Sequence, residues 1–314
     1  MTNGRRVLLV GGSGFIGSHL ARHLLDKGIT PVIVDWVRPA LKEIEYHSAE
    51  LRTVMDLFPG LLESVEAVYL LAWTTKPQAA NQDPVYDLES NVLAGLHFLE
   101  GLRRLRRRPR VFFVSTGGAV YGNPECTPTA ETHNPKPIGA YGISKWVFEQ
   151  YLDLYRRVHG LDILVFRPGN PYGEGQDPAA SQGAVGVFLG RVARMEPIEI
   201  WGDGEVVRDY LYIGDLVEGL LRGLDYHPED ENAPRVFNLG SGQGVSLKDL
   251  LVRIEHVTGR RPEVSYKSGR VVDVPAIVLN CDCAERLLGW RAETSLETGL
   301  ARTWAWVLDH WADR

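Results

Sequence analysis

The chain is poor in sulfur, with three cysteines and three methionines among 314 residues. Cys281 and Cys283 are two positions apart, too close for a zinc hook, and Cys126 stands alone, so neither a disulfide framework nor a metal site is expected. Reduced thiols fit a cytoplasmic protein. No apolar run approaches the roughly 20 residues of a membrane-spanning helix, and the chain opens on a strand-like run rather than a charged leader. A soluble protein without a membrane partner is the expectation. Basic excess is missing too: 34 Lys and Arg face 40 Asp and Glu, a net charge of −6, which argues against nucleic acid as a partner. The one basic run, RRLRRRPR at Arg103–Arg110, follows a helical pattern and precedes an apolar strand, so cations at a helix C-terminus explain it. Nor is there a G-x-S-x-G elbow, an H-E-x-x-H pair or a G-K-[ST] phosphate loop.

What the chain does have is alternation. Continuous apolar runs, VLLV (7–10), PVIVD (31–35), AVYLLAW (67–73), VFFVS (111–115) and DILVFR (162–167), are separated by amphipathic stretches such as FIGSHLARHLLDKG and SKWVFEQYLDLYRRVHG. Strands apolar throughout, rather than alternately, belong to a parallel sheet covered on both faces. The fold expected is α/β, a Rossmann-type doubly wound sheet over residues 1–168, rejoined by RVFNLGSG (235–242). Residues 169–314 then form most of a smaller second domain. Within it a helix is expected near Val185–Arg194, another capped by Ser246 and stopped by Gly259, and a last one from Leu296.

VLLVGGSGFIG places Gly11, Gly14 and Gly17 between the first strand and a helix. The first permits a tight turn, the second lets backbone approach a pyrophosphate, and the third lets helix and strand pack. The next strand ends in Asp35, an acceptor for adenosine ribose hydroxyls that would repel a 2′-phosphate, so NAD is favoured over NADP. Further on, YGISK sets Tyr141 and Lys145 four apart on one helix face. A phenol titrates near 10 in water, but a neighbouring ammonium and a positively charged nicotinamide both favour the phenolate. Such a phenolate can take a hydroxyl proton while hydride leaves the same carbon. A Tyr and a Lys at this spacing are ordinarily mere surface; the glycine turn upstream gives the pair its meaning.

Together, G-x-x-G-F-I-G, Asp35, Asn91 in LESNVLAG, the STGGAVYG stretch (115–122) and Y-x-x-x-K resemble the extended short-chain dehydrogenase/reductases. More specifically they resemble the NAD-dependent epimerase/dehydratase family of nucleotide-sugar enzymes. RPGNPYG (167–173), GDGEVVRDYLYIGDL (202–216), NLGSG (238–242) and the Arg270/Asp273 pair extend the likeness almost end to end. The resemblance implies cofactor contacts at Phe15, Ile16, Asp35, Glu50, Leu71, Ala72, Asn91, Ser115, Tyr141 and Lys145. It implies nucleotide-sugar contacts at Asn170, Gln182, Arg208 and Arg270, with Asp273 on a ribose hydroxyl. Arginine forks suit a diphosphate, although exposed arginines also serve in plain ion pairs. It further implies a homodimer through helices near Val85–Arg107 and Tyr141–His159. Glu50 replaces the usual aspartate, and Trp73 departs from the usual H-L-A-A ending.

Relatives carry Ser or Thr where this chain has Gly117, which leaves Thr116 as the provisional hydroxyl partner of Tyr141. Family dehydratases carry Asp-Glu at the next two positions, here Gly118 and Ala119, so elimination chemistry is disfavoured. The expected activity is NAD-dependent epimerisation at C4 of a nucleotide-diphospho-sugar, a UDP-sugar by likeness, through a transient 4-keto sugar. Alternatives are an NDP-sugar oxidoreductase (4-ketoreductase or dehydrogenase), a dehydratase, or a non-catalytic NAD-binding protein.

Overall fold

Seven strands make the main sheet: β1 (Arg6–Val10), β2 (Thr30–Asp35), β3 (Glu45–Ser48), β4 (Ala67–Leu70), β5 (Arg110–Val114), β6 (Ile163–Pro168) and β10 (Val236–Leu239). Their order across it is β3-β2-β1-β4-β5-β6-β10. The computed structural model describes residues 4–180, 183–269 and 274–311. From β3 to β6 every neighbour pairs in parallel. At the β6 edge Val165 N–H donates to Arg235 O and Gly169 N–H to Leu239 O, both at 2.8 Å, so β10 continues in the same direction. Chain order reverses between β1 and β4, the switch point at which doubly wound sheets open a crevice beyond their strand C-termini.

The apolar runs are buried end to end: Val7–Val10, Val32–Val34, Ala67–Leu70 and Val111–Val114 all lie within the core. Tyr69 stacks on Phe112 at 4.6 Å and donates its hydroxyl to Leu220 O at 2.7 Å, so even the polar end of this inner ring is satisfied. Four of the six arginines in the basic run find partners within the fold. Arg103 and Arg104 meet Glu100, Arg108 reaches His159 O, and Arg110 pairs with Asp162.

The chain divides into two compact units, each made of three segments. The first contains Met1–Val120, Gly139–Arg167 and Leu220–Phe237; the second contains Tyr121–Ile138, Pro168–Gly219 and Asn238–Arg314. The second unit holds a three-stranded sheet of β7 (Asn170–Tyr172), β9 (Val207–Tyr212) and β11 (Gly244–Ser246), in the order β11-β9-β7. It also holds a parallel pair of β8 (Ile198–Trp201) and β12 (Val264–Lys267). Its helices start and stop where sequence signals place them. Ala184–Ala193 follows Gly183, and Leu247–Thr258 is capped by Ser246 Oγ, which accepts from Asp249 N–H at 3.0 Å. Gly259 ends that helix at φ +66°. The last helix spans Leu296–His310. Among the described residues no helix is long and apolar enough to cross a membrane, and no cluster of His, Cys, Asp and Glu suits a metal ion.

Candidate active site

The glycine turn is fitted to two different surfaces. Gly11 has φ +87°, and a Cβ there would come within 2.4 Å of Ala72 N, so backbone crowding forces glycine. Gly17 faces Gly12, whose Cα a Cβ would meet at 2.6 Å; Gly12, which falls outside the spaced-glycine pattern, in turn sits against Ile33. Gly14 is different. Its φ of −73° suits any residue, and a Cβ would meet only Gly11 O, at 3.6 Å. Neither strain nor packing within the protein requires glycine at that point, as a cradle for a ligand would. The helix Phe15–Asp26 begins there with no side-chain cap and no acid in its first turn. Its first N–H groups, at Phe15, Ile16 and Gly17, and its dipole suit a phosphate.

Asp35 ends β2 and is nearly buried. Its two oxygens accept N–H bonds from Ser13 and Val37, each at 3.0 Å, which fixes the carboxylate while leaving lone pairs for hydroxyl donors. Leu71 and Ala72 follow β4, and both N–H groups donate to Val10 O at 2.9 Å. Glu50 stands exposed just past β3. A pyrophosphate cradle, an aspartate for the ribose and a small-residue lip at the switch point together fit a dinucleotide such as NAD.

Tyr141 and Lys145 lie on the helix Ala140–His159, which starts with the N–H of Ala140 donating to Asn81 Oδ1 at 2.8 Å. Tyr141 is half-buried and Lys145 is 3% exposed. The Lys145 ammonium donates to Val114 O at 2.8 Å and sits 5.8 Å from the Tyr141 ring. Burial, only partly offset by the charges of Glu149 and Asp87, brings Lys145 down to about 7. Burial, reinforced by Asp87, holds the Tyr141 phenol above its ordinary value.

Two buried networks brace this helix, and neither was anticipated. Ser115 donates its hydroxyl to Glu149, which is forked to Arg167 with Nη2–Oε2 at 2.6 Å; both members of the ion pair are 3% exposed. Ser115, expected beside the cofactor, therefore has its hydroxyl engaged inward. Asp87, fully buried, accepts from Ser144 Oγ at 2.5 Å, from Thr75 Oγ1 and from Asn91 Nδ2 at 3.0 Å. Asn91 also donates to Asp87 O and accepts from Thr74 N–H at 2.7 Å. Its amide is committed to shaping the 74–75 loop. Asp87 and Asn91 flank and occupy a wide helical turn, Leu88–Leu93, of the kind that recurs at functional sites. One signal was available for Glu149: it stands four residues beyond Lys145, on the buried stripe of the same helix.

Thr116 lies two residues beyond β5, half-buried, and Gly117 opens a short helix, Gly117–Val120. In the second unit Asn170 pairs with Tyr210 across β7 and β9. Arg208, two residues back, thus shares a sheet face with Asn170. The Arg208 guanidinium donates to Val207 O and Val274 O at 2.8 and 2.7 Å. Gln182, Arg270 and Asp273 lie outside the described residues.

A dinucleotide cradle with a Tyr–Lys pair on the helix after β5 defines an enzyme of the short-chain dehydrogenase/reductase type. Residues 7–240 match the model of the NAD dependent epimerase/dehydratase family, and the chain belongs to that family. A putative UDP-glucose 4-epimerase of Methanocaldococcus jannaschii is 34% identical over 307 residues, covering 96% of this chain and 98% of the relative. The Thermotoga maritima UDP-glucose 4-epimerase, solved with UDP-glucose, superimposes with a TM-score of 0.89 at 33% identity, covering 97% of this chain and 99% of that one. The Thermus thermophilus UDP-glucose 4-epimerase, solved with NAD, gives 0.87 at 32% identity, with 98% of each chain covered.

Proposed function

We propose that the protein is an NAD-dependent epimerase that inverts C4 of a UDP-sugar through a transient 4-keto sugar. The observation that carries this reading is the juxtaposition of Tyr141 with a buried, charge-poised Lys145 on a helix braced by Asp87 and Glu149, within a chain that also holds the dinucleotide cradle. NAD, when bound, supplies a hydride acceptor that becomes a donor in the return step. The helix N-terminus at Phe15, Ile16 and Gly17 would bind its phosphates, and Asp35 its adenosine ribose.

Tyr141 takes the proton of the sugar C4 hydroxyl and returns it after the ring has turned its other face. The phenol stands too high to do so alone. The Lys145 charge, and the positive charge of the oxidised nicotinamide, lower the cost of the phenolate only once the site is assembled. Thr116 Oγ1, which makes no hydrogen bond to another described residue, is the hydroxyl offered to the substrate beside Gly117. Gly118 and Ala119 provide no acid or base for elimination, so chemistry stays at one carbinol carbon. Asn170 and Arg208, with Gln182, Arg270 and Asp273, are assigned to the nucleotide-diphosphate.

The test uses purified protein without added cofactor, incubated with UDP-glucose, UDP-galactose and their N-acetyl and uronic-acid counterparts. Interconversion of one C4 pair without net NADH is expected, and Tyr141→Phe should cut its rate by about 10²–10⁴-fold with NAD still retained. NADH accumulating in step with added NAD⁺, and no epimer, would establish an oxidoreductase instead.

The same chain is proposed to be a homodimer. The helices Ala94–Leu102 and Ala140–His159, with the turns before the first, expose Val85, Leu88, Leu93, Tyr151, Leu154 and Val158, an apolar set larger than scattered surface residues explain.

A further inference from the structure

Trp73 is the residue near the Tyr–Lys pair that neither the glycine cradle nor the catalytic motif accounts for. It lies three positions beyond β4, and its indole ring stands 3.9 Å from Lys145 Nζ. That is closer than the Phe113 ring at 4.7 Å or the Tyr141 ring at 5.8 Å. Phe113 and Phe148 flank the indole at 5.7 and 6.1 Å. Its N–H is buried and finds no acceptor among the described residues. A donor left without an acceptor weakens a fold, so the indole's own hydrogen bonding does not explain its placement. What the indole offers is a π face to a cation withdrawn from water.

We propose that Trp73 is a positioning residue for Lys145, holding the buried side chain in its charged form, in one place beside Tyr141. The idea rests on reading Tyr141 and Lys145 as the catalytic pair. An ammonium removed from water needs substitutes for its hydration shell. Here it has the Val114 carbonyl and three aromatic rings, with no carboxylate at ion-pairing distance among the described residues. The charged and titratable groups that face it are Glu149 on its own helix, already forked to Arg167 of β6, Asp87 on the Pro84–Asp87 turn, and Tyr141. Both carboxylates favour the charged amine from a distance, yet burial outweighs them and leaves the lysine at about 7. At such a midpoint the contribution of one ring face decides how much of the amine is charged at neutral pH.

Two variants separate the ring face from mere apolarity. Trp73→Leu keeps a smaller apolar side chain and removes the π face; Trp73→Phe keeps a weaker face and drops the N–H. The direct readout is an NMR pH titration of the Lys145 Cε resonance in the purified protein, assigned with Lys145→Met. In Trp73→Leu the midpoint is expected to fall by about half to one and a half pH units, and in Trp73→Phe by about half that shift. The high-pH limb of kcat, where Lys145 loses its proton, should move down in the same order while KM for the UDP-sugar holds. A midpoint that does not move in either folded variant overturns the proposal. Should Trp73→Leu fail to fold, Trp73→Phe decides alone. Midpoints that move as expected in a protein that epimerises no UDP-sugar would uphold the Trp–Lys coupling and overturn the function assigned to it.

Discussion

At pH 7 the Lys145 amine is close to its own midpoint, whereas an unfolded chain would hold that proton to about 10.5. Below about pH 7 both states carry the charge, and the cost of burying it is fully present. Between there and the ordinary lysine value the unfolded chain binds more protons, so this residue makes stability rise with pH across that window. Lys145→Met keeps the stem and removes the charge. It is expected to unfold at higher temperature at pH 7, with a gain of about 1–4 kcal/mol, and to show a flatter stability curve between pH 7 and 10, while turnover is lost. Denaturation followed at several pH values checks this; a less stable Lys145→Met at pH 7 would show that the ammonium stabilises the fold. Tyr141 and Lys145 were legible in the sequence because their pairing is local, four residues on one helix. Asp87, Glu149 and Trp73 were not, because each matters through partners far along the chain: Ser144, Arg167 and Lys145.

Helix packing behind the pair depends on the absence of one side chain. A Cβ at Gly95 would come within 2.4 Å of Phe148 Cε2, and Phe148 packs on Trp73, which caps Lys145. Gly95→Ala therefore has to push a buried aromatic ring against Phe113 and Trp73. A loss of about 1–3 kcal/mol is expected in spite of alanine's better helix propensity, together with reduced turnover; equal or greater denaturant resistance would contradict the packing argument. The ends of a few helices could be read beforehand, since Ser246, Gly259 and Gly14 are local stop and start signals. The wide turn Leu88–Leu93 could not. LESNVLAG has the apolar spacing of an ordinary helix, and its extra width depends on Asp87 and Asn91 bonding to Thr74 and Thr75, a loop more than ten residues earlier.

For the molecule as a whole, the proposed dimer, which rests on the apolar residues exposed just before Ala94–Leu102 and along Ala140–His159, leads to an expected change of assembly. Leu154→Glu, at a position 39% exposed, should leave the fold intact and turn a dimer into a monomer in sedimentation. A variant that still sediments as the wild type would place any self-association elsewhere. The doubly wound sheet was plain from its uninterrupted apolar strands. The path of the chain between units was less so: Tyr121–Ile138 is proline-rich, which marks a loop but not the unit it joins, and the boundary at Gly219 and Leu220 lies inside one helical periodicity.

That path constrains how such a protein can change over generations. Because the two units alternate along the sequence, three stretches each, no single crossover between two related genes can exchange one unit whole and leave the other untouched. Grafting a different sugar preference onto this nucleotide cradle by recombination would take several simultaneous exchanges. New specificity is accordingly expected to arise through point substitutions, one side chain at a time.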